Sequence, residues 1–232
     1  MLFKGEQFVN NFLEVVVLVE GQTEQKFVNE VLSPYMAAKN IFLTPIVISK
    51  KGQKGGDVKF QRVKIDICNH LKQRSDTIIS TFVDYYGLKE WPGEDKVKPN
   101  DAPNQIASIL NEAARKAIDS EYTQVNVHER FIPFMAVHEF EALLFSDSEI
   151  LSSYLNISKL EVDKVIDKCG SPEEINNSPQ TAPSKRLQYW THGHYGKTTS
   201  GIAIAKAIGI ERMRSKCPLF NRWLSQLEEQ IN

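Results

Sequence analysis

EVVVLVEG, from Glu14 to Gly21, is the stretch of sequence that decides the fold. Its β-branched and leucine side chains run without a polar interruption from Val15 to Val19, which is typical of a strand buried on both faces of a parallel sheet. The run stops at Glu20, and the glycine after it favours a tight turn. Residues 23–36 then carry apolar side chains at helical spacing. We therefore predict a strand, a turn and a helix, the first unit of an α/β sheet.

The same alternation continues along the chain. Further strands are predicted at residues 42–48, 77–83 and 131–137, and helices at residues 58–71 and 105–118. Pro45 favours an edge position or a late start for the second strand, because proline cannot donate to a sheet ladder. This pattern predicts an α/β fold of the Rossmann-like type, with a mainly parallel sheet flanked by helices.

The strand signal fades after Glu139, and short helical segments separated by turn residues follow it. We expect an α/β domain over residues 1–145 and a helical C-terminal extension over residues 146–232 that packs on it. The predicted helices of the extension span residues 142–155, 160–169, 184–190, 201–208 and 220–227.

Composition limits the classes of function. The 232 residues carry a formal net charge of -1, so no overall basic field favours nucleic acid, and any such binding needs a local patch. The three cysteines are widely scattered, which argues against a zinc ribbon or a disulfide framework and is typical of a reducing cytosol. The N-terminal residues lack the apolar run of a signal peptide, and no stretch is long enough to span a bilayer. We expect a cytoplasmic protein.

Acidic residues follow three of the four predicted strands: Glu20 the first, Asp84 the third and Glu139 the fourth. In an open parallel sheet the carboxyl ends of the strands line the crevice where ligands bind. Carboxylates gathered there suit a hard cation such as Mg²⁺ or Mn²⁺, which polarises phosphoryl groups and activates water. We therefore predict a metal site at this edge of the sheet.

Three neighbouring residues are further candidates, each with a structural alternative. Glu24 and Glu141 are candidates for the acidic site, but both fall in predicted first turns, where acids are favoured by the helix dipole alone. His138 could be a ligand or a general base, although a single histidine is more often structural.

Basic residues form two clusters that could contact phosphate. The first comprises Lys50, Lys51 and Lys54, beside Gly55 and Gly56, and a solvated surface is its simpler explanation. The second comprises Lys185, Arg186 and Lys197, and the helical region could fold it over the acidic crevice to orient a substrate.

Residues 191–198 contain two apparent motifs that we discount. Gly196-Lys197-Thr198 is not a P-loop, because Thr191 stands where the first glycine is needed. His192 and His194, with Tyr195, are better explained as a surface loop than as a zinc site.

Several motifs are considered together: LVEGQTE (18–24), the Gly55-Gly56 pair, FVDYYGL (82–88), RFIPF with HEFEALLFSD (130–147), PSKRL (183–187) and CPLFNRWL (217–224). LVEGQTE and FVDYYGL resemble the first two motifs of the Toprim fold, which occurs in topoisomerases, primases and the overcoming-lysogenization-defect nucleases. The whole set resembles a bacterial family of unknown function, number four-two-seven-six. That family is regarded as Toprim-like, and its members are often encoded beside ATPases of phage-defence type.

The resemblance implies roles for individual residues. Glu20 corresponds to the Toprim glutamate, a metal ligand or general acid/base, and Asp84 to the first acid of the Asp-x-Asp pair. Tyr86 stands at the position of the second aspartate, and a phenol is a poor ligand for Mg²⁺. The missing ligand could come from Glu139, Glu141 or Glu24, or a one-metal or inactive site could result.

Two functions follow as hypotheses. The first is a metal-dependent, phosphodiester-cleaving nuclease acting on DNA or RNA, an antiviral effector that works with an ABC/AAA-type ATPase encoded nearby. The second is a catalytically silent Toprim-like module that binds or regulates such an ATPase. A primase- or topoisomerase-like enzyme ranks last, and a homo-oligomer stays open.

Overall fold

The computed structural model describes residues 12–48, 58–123, 126–175 and 180–231. Within them, four strands form one sheet: β1 (Leu13–Val19), β2 (Ile41–Val47), β4 (Ile78–Asp84) and β6 (Phe131–Ala136). All four are parallel, in the order β2-β1-β4-β6. A separate parallel pair joins β3 (Val58–Lys59) to β5 (Leu88–Lys89). The α/β architecture with a parallel sheet is confirmed.

Helices connect and flank these strands. In the first part of the chain they are α1 (Gln22–Phe27), α2 (Ser33–Ala37), α3 (Phe60–Gln73), α4 (Pro103–Asp119) and α5 (Val127–Arg130). In the C-terminal part they are α6 (Ser148–Leu155), α7 (Lys159–Cys169), α8 (Pro183–Trp190), α9 (Ile202–Ile208), α10 (Ile210–Lys216) and α11 (Pro218–Glu228).

The sequence of β1 explains its central place. Val17, Leu18 and Val19 are completely buried although they point to alternate faces, as expected of a strand covered on both sides. The two edge strands, β2 and β6, each contain a proline, Pro45 and Pro133, at positions where an interior strand would need the missing N–H. The predicted edge position of the second strand is therefore confirmed.

The C-terminal helices pack directly on the sheet. The ring of Trp223 in α11 stacks on Phe134 of β6, with ring centroids 4.6 Å apart and planes inclined by 5°. Its indole N–H donates a 2.9 Å hydrogen bond to Oγ of Ser80 in the neighbouring β4. Apolar residues of the sheet and of these helices therefore share one hydrophobic core. The division near residue 145 stays a prediction.

Two predicted helices differ from the structure. The helix expected over residues 23–36 is interrupted by a π-helical turn, Val28–Leu32, just before Pro34, which cannot donate to the preceding turn. The helix expected over residues 142–155 is a 3₁₀ segment, Phe140–Ser146, followed by α6, because the Asp147 side chain accepts the Ile150 N–H and starts a new helix.

A further difference is α10, which is not predicted and lies between the helices expected over residues 201–208 and 220–227. It follows α9 after a single residue, Gly209, whose φ of +77° suits glycine and turns the chain between the two helices.

Candidate active site at the carboxyl edge of the sheet

The ends of three parallel strands bring acidic residues to one edge of the sheet. Val19 lies beside Phe82 in the register of β1 with β4, so Glu20 and Asp84 follow neighbouring strand ends. Asp84 itself is paired with Ala136, the last residue of β6, and Glu139 follows three residues later. The topology thus collects acids from three separate parts of the chain.

Asp84 ends β4 at this edge of the sheet and is half-buried. Its Oδ1 is buried and has no hydrogen-bond partner among the described residues. Burial raises the pKa of Asp84 well above its usual range, and repulsion from Glu24, Glu20, Glu141 and Glu139 raises it further. A carboxylate held in this way is suited to a cation, which would supply the missing interaction.

Glu20 and Glu24 flank the turn into α1. Glu20 is half-buried at the end of β1, and the carboxylate of Glu24 lies against Gly21, where an added Cβ would be 3.4 Å from its Oε2. Burial raises the pKa of Glu24 despite backbone N–H groups that favour its charge, and Glu20 adds repulsion. Glu24 therefore belongs to the acidic group and is more than a favourable charge at a helix start.

Glu141 is the most buried acid of the site, with a side chain that is 1% exposed. The ammonium of Lys197 lies 3.0 Å from its Oε1 and 3.2 Å from its Oε2, and 3.9 Å from Oε1 of Glu139. Burial by itself would lower the pKa of Lys197, but Glu141, Glu139 and Asp84 together raise it. Lys197 is therefore a fixed cation inside the acidic site.

Glu139 is engaged by the start of α8. Its Oε2 accepts a 2.8 Å hydrogen bond from the Ser184 backbone N–H, and its Oε1 accepts another, also 2.8 Å, from Oγ of Ser184. A carboxylate at the N-terminal turn of a helix is stabilised by the free N–H groups and the dipole. Glu139 thus fastens α8 to the site.

Lys185 and Arg186 lie on α8, directly after the residue that binds Glu139. Lys185 is exposed, and the guanidinium of Arg186 donates through Nε to the Thr181 carbonyl at 2.8 Å. Among Lys185, Arg186 and Lys197, the predicted cationic residues that the structure describes, Lys197 is thus the one that contacts the acids. Lys50, Lys51 and Lys54, with Gly55 and Gly56, lie outside the described residues.

Tyr195 is a site residue that the sequence reasoning missed. It is 4% exposed, and its hydroxyl lies 3.5 Å from Oε1 of Glu141 and packs against Gly201. Burial and the nearby Glu141 raise the pKa of this phenol. The expectation of a surface loop fits His192 and His194, which are exposed, but is wrong for Tyr195, since an isolated aromatic in a polar stretch gives no signal of burial.

Mg²⁺ or Mn²⁺ fits the chemistry of this donor set, because carboxylate oxygens are the preferred ligands and Oδ1 of Asp84 is buried without a partner in the described part of the chain. Across the same residues, no three His, Cys, Asp or Glu side chains already form a group able to hold a metal ion. Mg²⁺ usually takes only one or two protein carboxylates and completes its shell with water and phosphate. Asp84 and Glu20 are the residues that would hold such an ion, and Glu24 is near enough to repel Asp84.

A family model matches residues 19–228, nearly the whole chain, and it covers every acid and base of the site described above. None of the curated proteins and none of the solved structures gave a match. None of the helices in the described part of the chain combines the length and apolar composition needed to cross a membrane. The chain belongs to the matched family, described as a domain of unknown function (DUF4276).

Proposed function

We propose that this member of the DUF4276 family is a metal-dependent enzyme that cleaves phosphodiesters, a Toprim-like nuclease. The observation that carries the proposal is Oδ1 of Asp84, which is buried without a hydrogen-bond partner in the described part of the chain. Acids from three strand ends surround it, with Lys197 among them. Buried like charges cost free energy, and such an arrangement is typical of sites that bind cations or perform catalysis. Negative charge suited to a metal ion and positive charge suited to a phosphate are thus close together.

We assign the acids to two roles. Asp84 and Glu20 would bind the metal ion, with Glu24 as the third acid, which would accept a hydrogen bond from the attacking water. When bound, the ion polarises a phosphoryl oxygen and lowers the pKa of its water. Glu139 holds Ser184 and Glu141 holds Lys197, so we assign these two acids to positioning, although the sequence made them candidate ligands.

The basic residues act on the substrate in this proposal. Lys197 is held between Glu141 and Glu139, where its ammonium can donate to a non-bridging phosphate oxygen without moving far. Lys185 and Arg186 are carried by α8, whose start is fixed to Glu139, and we assign them to the neighbouring phosphates. This arrangement concentrates positive charge where negative charge develops in the transition state.

A cleavage assay tests the proposal. Single-stranded and duplex DNA and RNA are incubated with the purified protein and Mg²⁺ or Mn²⁺. We expect the wild type to cleave and Asp84→Asn and Glu20→Gln to lose at least about 100-fold in rate, a typical loss for removal of one catalytic group. Asp95→Asn, which alters an exposed acid elsewhere, is the matched control and should cleave normally. Equal cleavage by all four proteins would refute the proposal.

A second candidate is a catalytically silent module that binds or regulates an ATPase. The Lys197–Glu141 pair favours it, because a fixed ammonium already neutralises part of the acidic charge. In both candidates we propose an ABC/AAA-type ATPase as the partner and antiviral defence as the setting, on the family resemblance alone. Co-purification with that ATPase, without cleavage in any metal, supports the silent module.

A further inference from the structure

An open cleft of about 740 Å³ adjoins the acidic site and is not used by the chemistry proposed above. One wall is formed by Tyr85 and Tyr86, which directly follow Asp84 at the end of β4. His138, which directly precedes Glu139, also lines the cleft. The lining of the cleft therefore includes the residues that immediately follow Asp84 and the residue that immediately precedes Glu139.

Tyr86 presents an unusual surface to this cleft. It is a large aromatic residue with 60% of its surface exposed to solvent. The start of α4 contributes the apolar surfaces of Pro103 and Ile106 to the same cleft. An exposed aromatic ring beside apolar walls is suited to stack a flat ring, and such stacking accepts any nucleobase.

The charges of the cleft favour a base over a phosphate. Among its described lining residues, Asp101 and Glu174 carry negative charge and Lys168 carries positive charge. The excess of acid repels a phosphate group but not a neutral ring, and the carboxylates can accept hydrogen bonds from exocyclic amino groups of bases. Phosphate would then stay near Lys197 while the adjoining base enters the cleft.

We propose that this cleft binds a nucleobase of a single-stranded polynucleotide, stacked on Tyr86, next to the phosphodiester held at Asp84. A single strand is required, because a base inside a duplex has both faces stacked and cannot reach an aromatic side chain. This inference rests on the proposed function, since it takes the acidic edge as the place of the phosphodiester.

Binding of a fluorescein-labelled, single-stranded oligonucleotide, measured by anisotropy in EDTA so that nothing is cleaved, tests the inference. We expect Tyr86→Ala to weaken binding roughly tenfold, as for loss of one base–aromatic contact, and Tyr86→Phe to bind within about twofold of the wild type. Tyr154→Ala is the matched control, because Tyr154 is similarly exposed, at 56%, but lies outside the cleft. It should bind like the wild type.

The cysteines supply a second readout inside the cleft. All three lie in the described part of the chain, and Cys68 and Cys217 are buried whereas Cys169 is half-buried and lines the cleft. A maleimide should therefore label Cys169 first. We expect the single-stranded oligonucleotide to slow this labelling at least threefold in the wild type and to give no protection in Tyr86→Ala at the same concentration.

The outcomes separate this inference from the proposed function. Equal binding by wild type and Tyr86→Ala, or equal protection of Cys169 by duplex and single strand, would overturn the stacking site even if the protein cleaves nucleic acid. Binding that depends on Tyr86, with no cleavage in Mg²⁺ or Mn²⁺, would support the site while the nuclease proposal fails.

Discussion

The ammonium of Lys197 contacts both oxygens of Glu141, at 3.0 and 3.2 Å, although the two residues are 56 positions apart. The carboxylate is almost fully buried, whereas the lysine side chain is 46% exposed. A buried carboxylate without its counter-ion is costly. The cation therefore serves stability as well as any function, and the two roles can be separated by experiment.

Replacing Lys197 by methionine should destabilise the protein by about 1–2 kcal/mol, less than for a fully buried pair because the ammonium is partly solvated. Urea unfolding at neutral pH measures the change. Lys206→Met removes a surface pair with Glu30, of 2.6 Å, and should change stability little. The double variant Lys197→Met/Glu141→Gln should lose less unfolding free energy than the sum of the losses in the two single variants. A loss in the double variant equal to that sum would contradict the pairing.

Asp84→Asn should make the metal-free protein more stable at neutral pH, by on the order of 1 kcal/mol. The pKa of Asp84 is raised by burial and by the surrounding acids, so its stabilising contribution is present below the usual value of 3.8 and is lost as the pH rises through the folded-state pKa. Asparagine does not ionise and avoids that loss. Chemical unfolding in EDTA measures this gain in unfolding free energy. The control variant Asp95→Asn should show no gain. An Asp84→Asn protein less stable than the wild type would contradict the argument.

Mg²⁺ or Mn²⁺ should raise the melting temperature of the wild type. Binding to the folded state alone stabilises by about 1.4 kcal/mol when the ion is at ten times its dissociation constant. The shift should vanish in Asp84→Asn, persist in Asp95→Asn and be reversed by EDTA in a thermal-shift assay. The same shift in Asp84→Asn as in the wild type would place the ion elsewhere.

Glu173 should make stability depend on pH near neutrality. Its carboxylate accepts the N–H groups of Leu219 and Phe220 at 2.8 and 2.9 Å at the start of α11. Burial nevertheless raises its pKa from 4.5 to about 7, because the N–H groups only partly offset the loss of solvation. The protonated group is favoured in the folded state, so the contribution of Glu173 to stability is full below pH 4.5 and is lost as the pH rises through 7.

A comparison with Glu173→Gln isolates this effect, because glutamine does not titrate. Between pH 5 and pH 8 the wild type should lose up to about 3 kcal/mol of unfolding free energy relative to the variant. Chemical unfolding at several pH values gives the difference. A constant difference across that range would show that the folded pKa is ordinary.

Gly201→Ala should disturb the site through Tyr195. A Cβ at Gly201 would lie 2.5 Å from the Tyr195 hydroxyl oxygen, far closer than contact allows, and the phenol is buried. We expect a loss of about 1–3 kcal/mol from overpacking. Tyr195→Phe removes the clashing oxygen, so the double variant should be more stable than the two single losses predict. Strict additivity in urea unfolding would refute the clash.

The sequence predicts the strands that carry the acids of the site better than it predicts the hydrogen bonds and ion pairs that these acids make. The uninterrupted apolar run before Glu20 and the strand before Asp84 identify buried parallel strands, and parallel strands necessarily bring their carboxyl ends together. Nothing in the pattern reveals that Glu139 meets Ser184 or that Glu141 meets Lys197, because these contacts depend on how the C-terminal helices pack.

Local pattern also fails where structure depends on a single side chain or on tertiary contacts. The break at Asp147 is a capping interaction that divides an otherwise helical pattern. The burial of Tyr195 depends on the surrounding helices and on Gly201, which leaves room for its hydroxyl. Neither the Asp147 cap nor the burial of Tyr195 can be predicted from hydrophobic periodicity, which indicates only which residues share one face of a helix or strand.

The separation of Lys197 from the acids also matters during synthesis on the ribosome. All of the acids named in the site lie at or before Glu141, and the 56 residues from Ala142 to Lys197 take about 3–11 s to make at 5–20 residues per second. During that interval the nascent chain carries these acids without the Lys197 ammonium, and Trp223 of α11 has not yet reached the sheet. The site is therefore completed only after Lys197 has been made, and a chain that stops before Lys197 would expose an acidic edge that its own lysine has not neutralised.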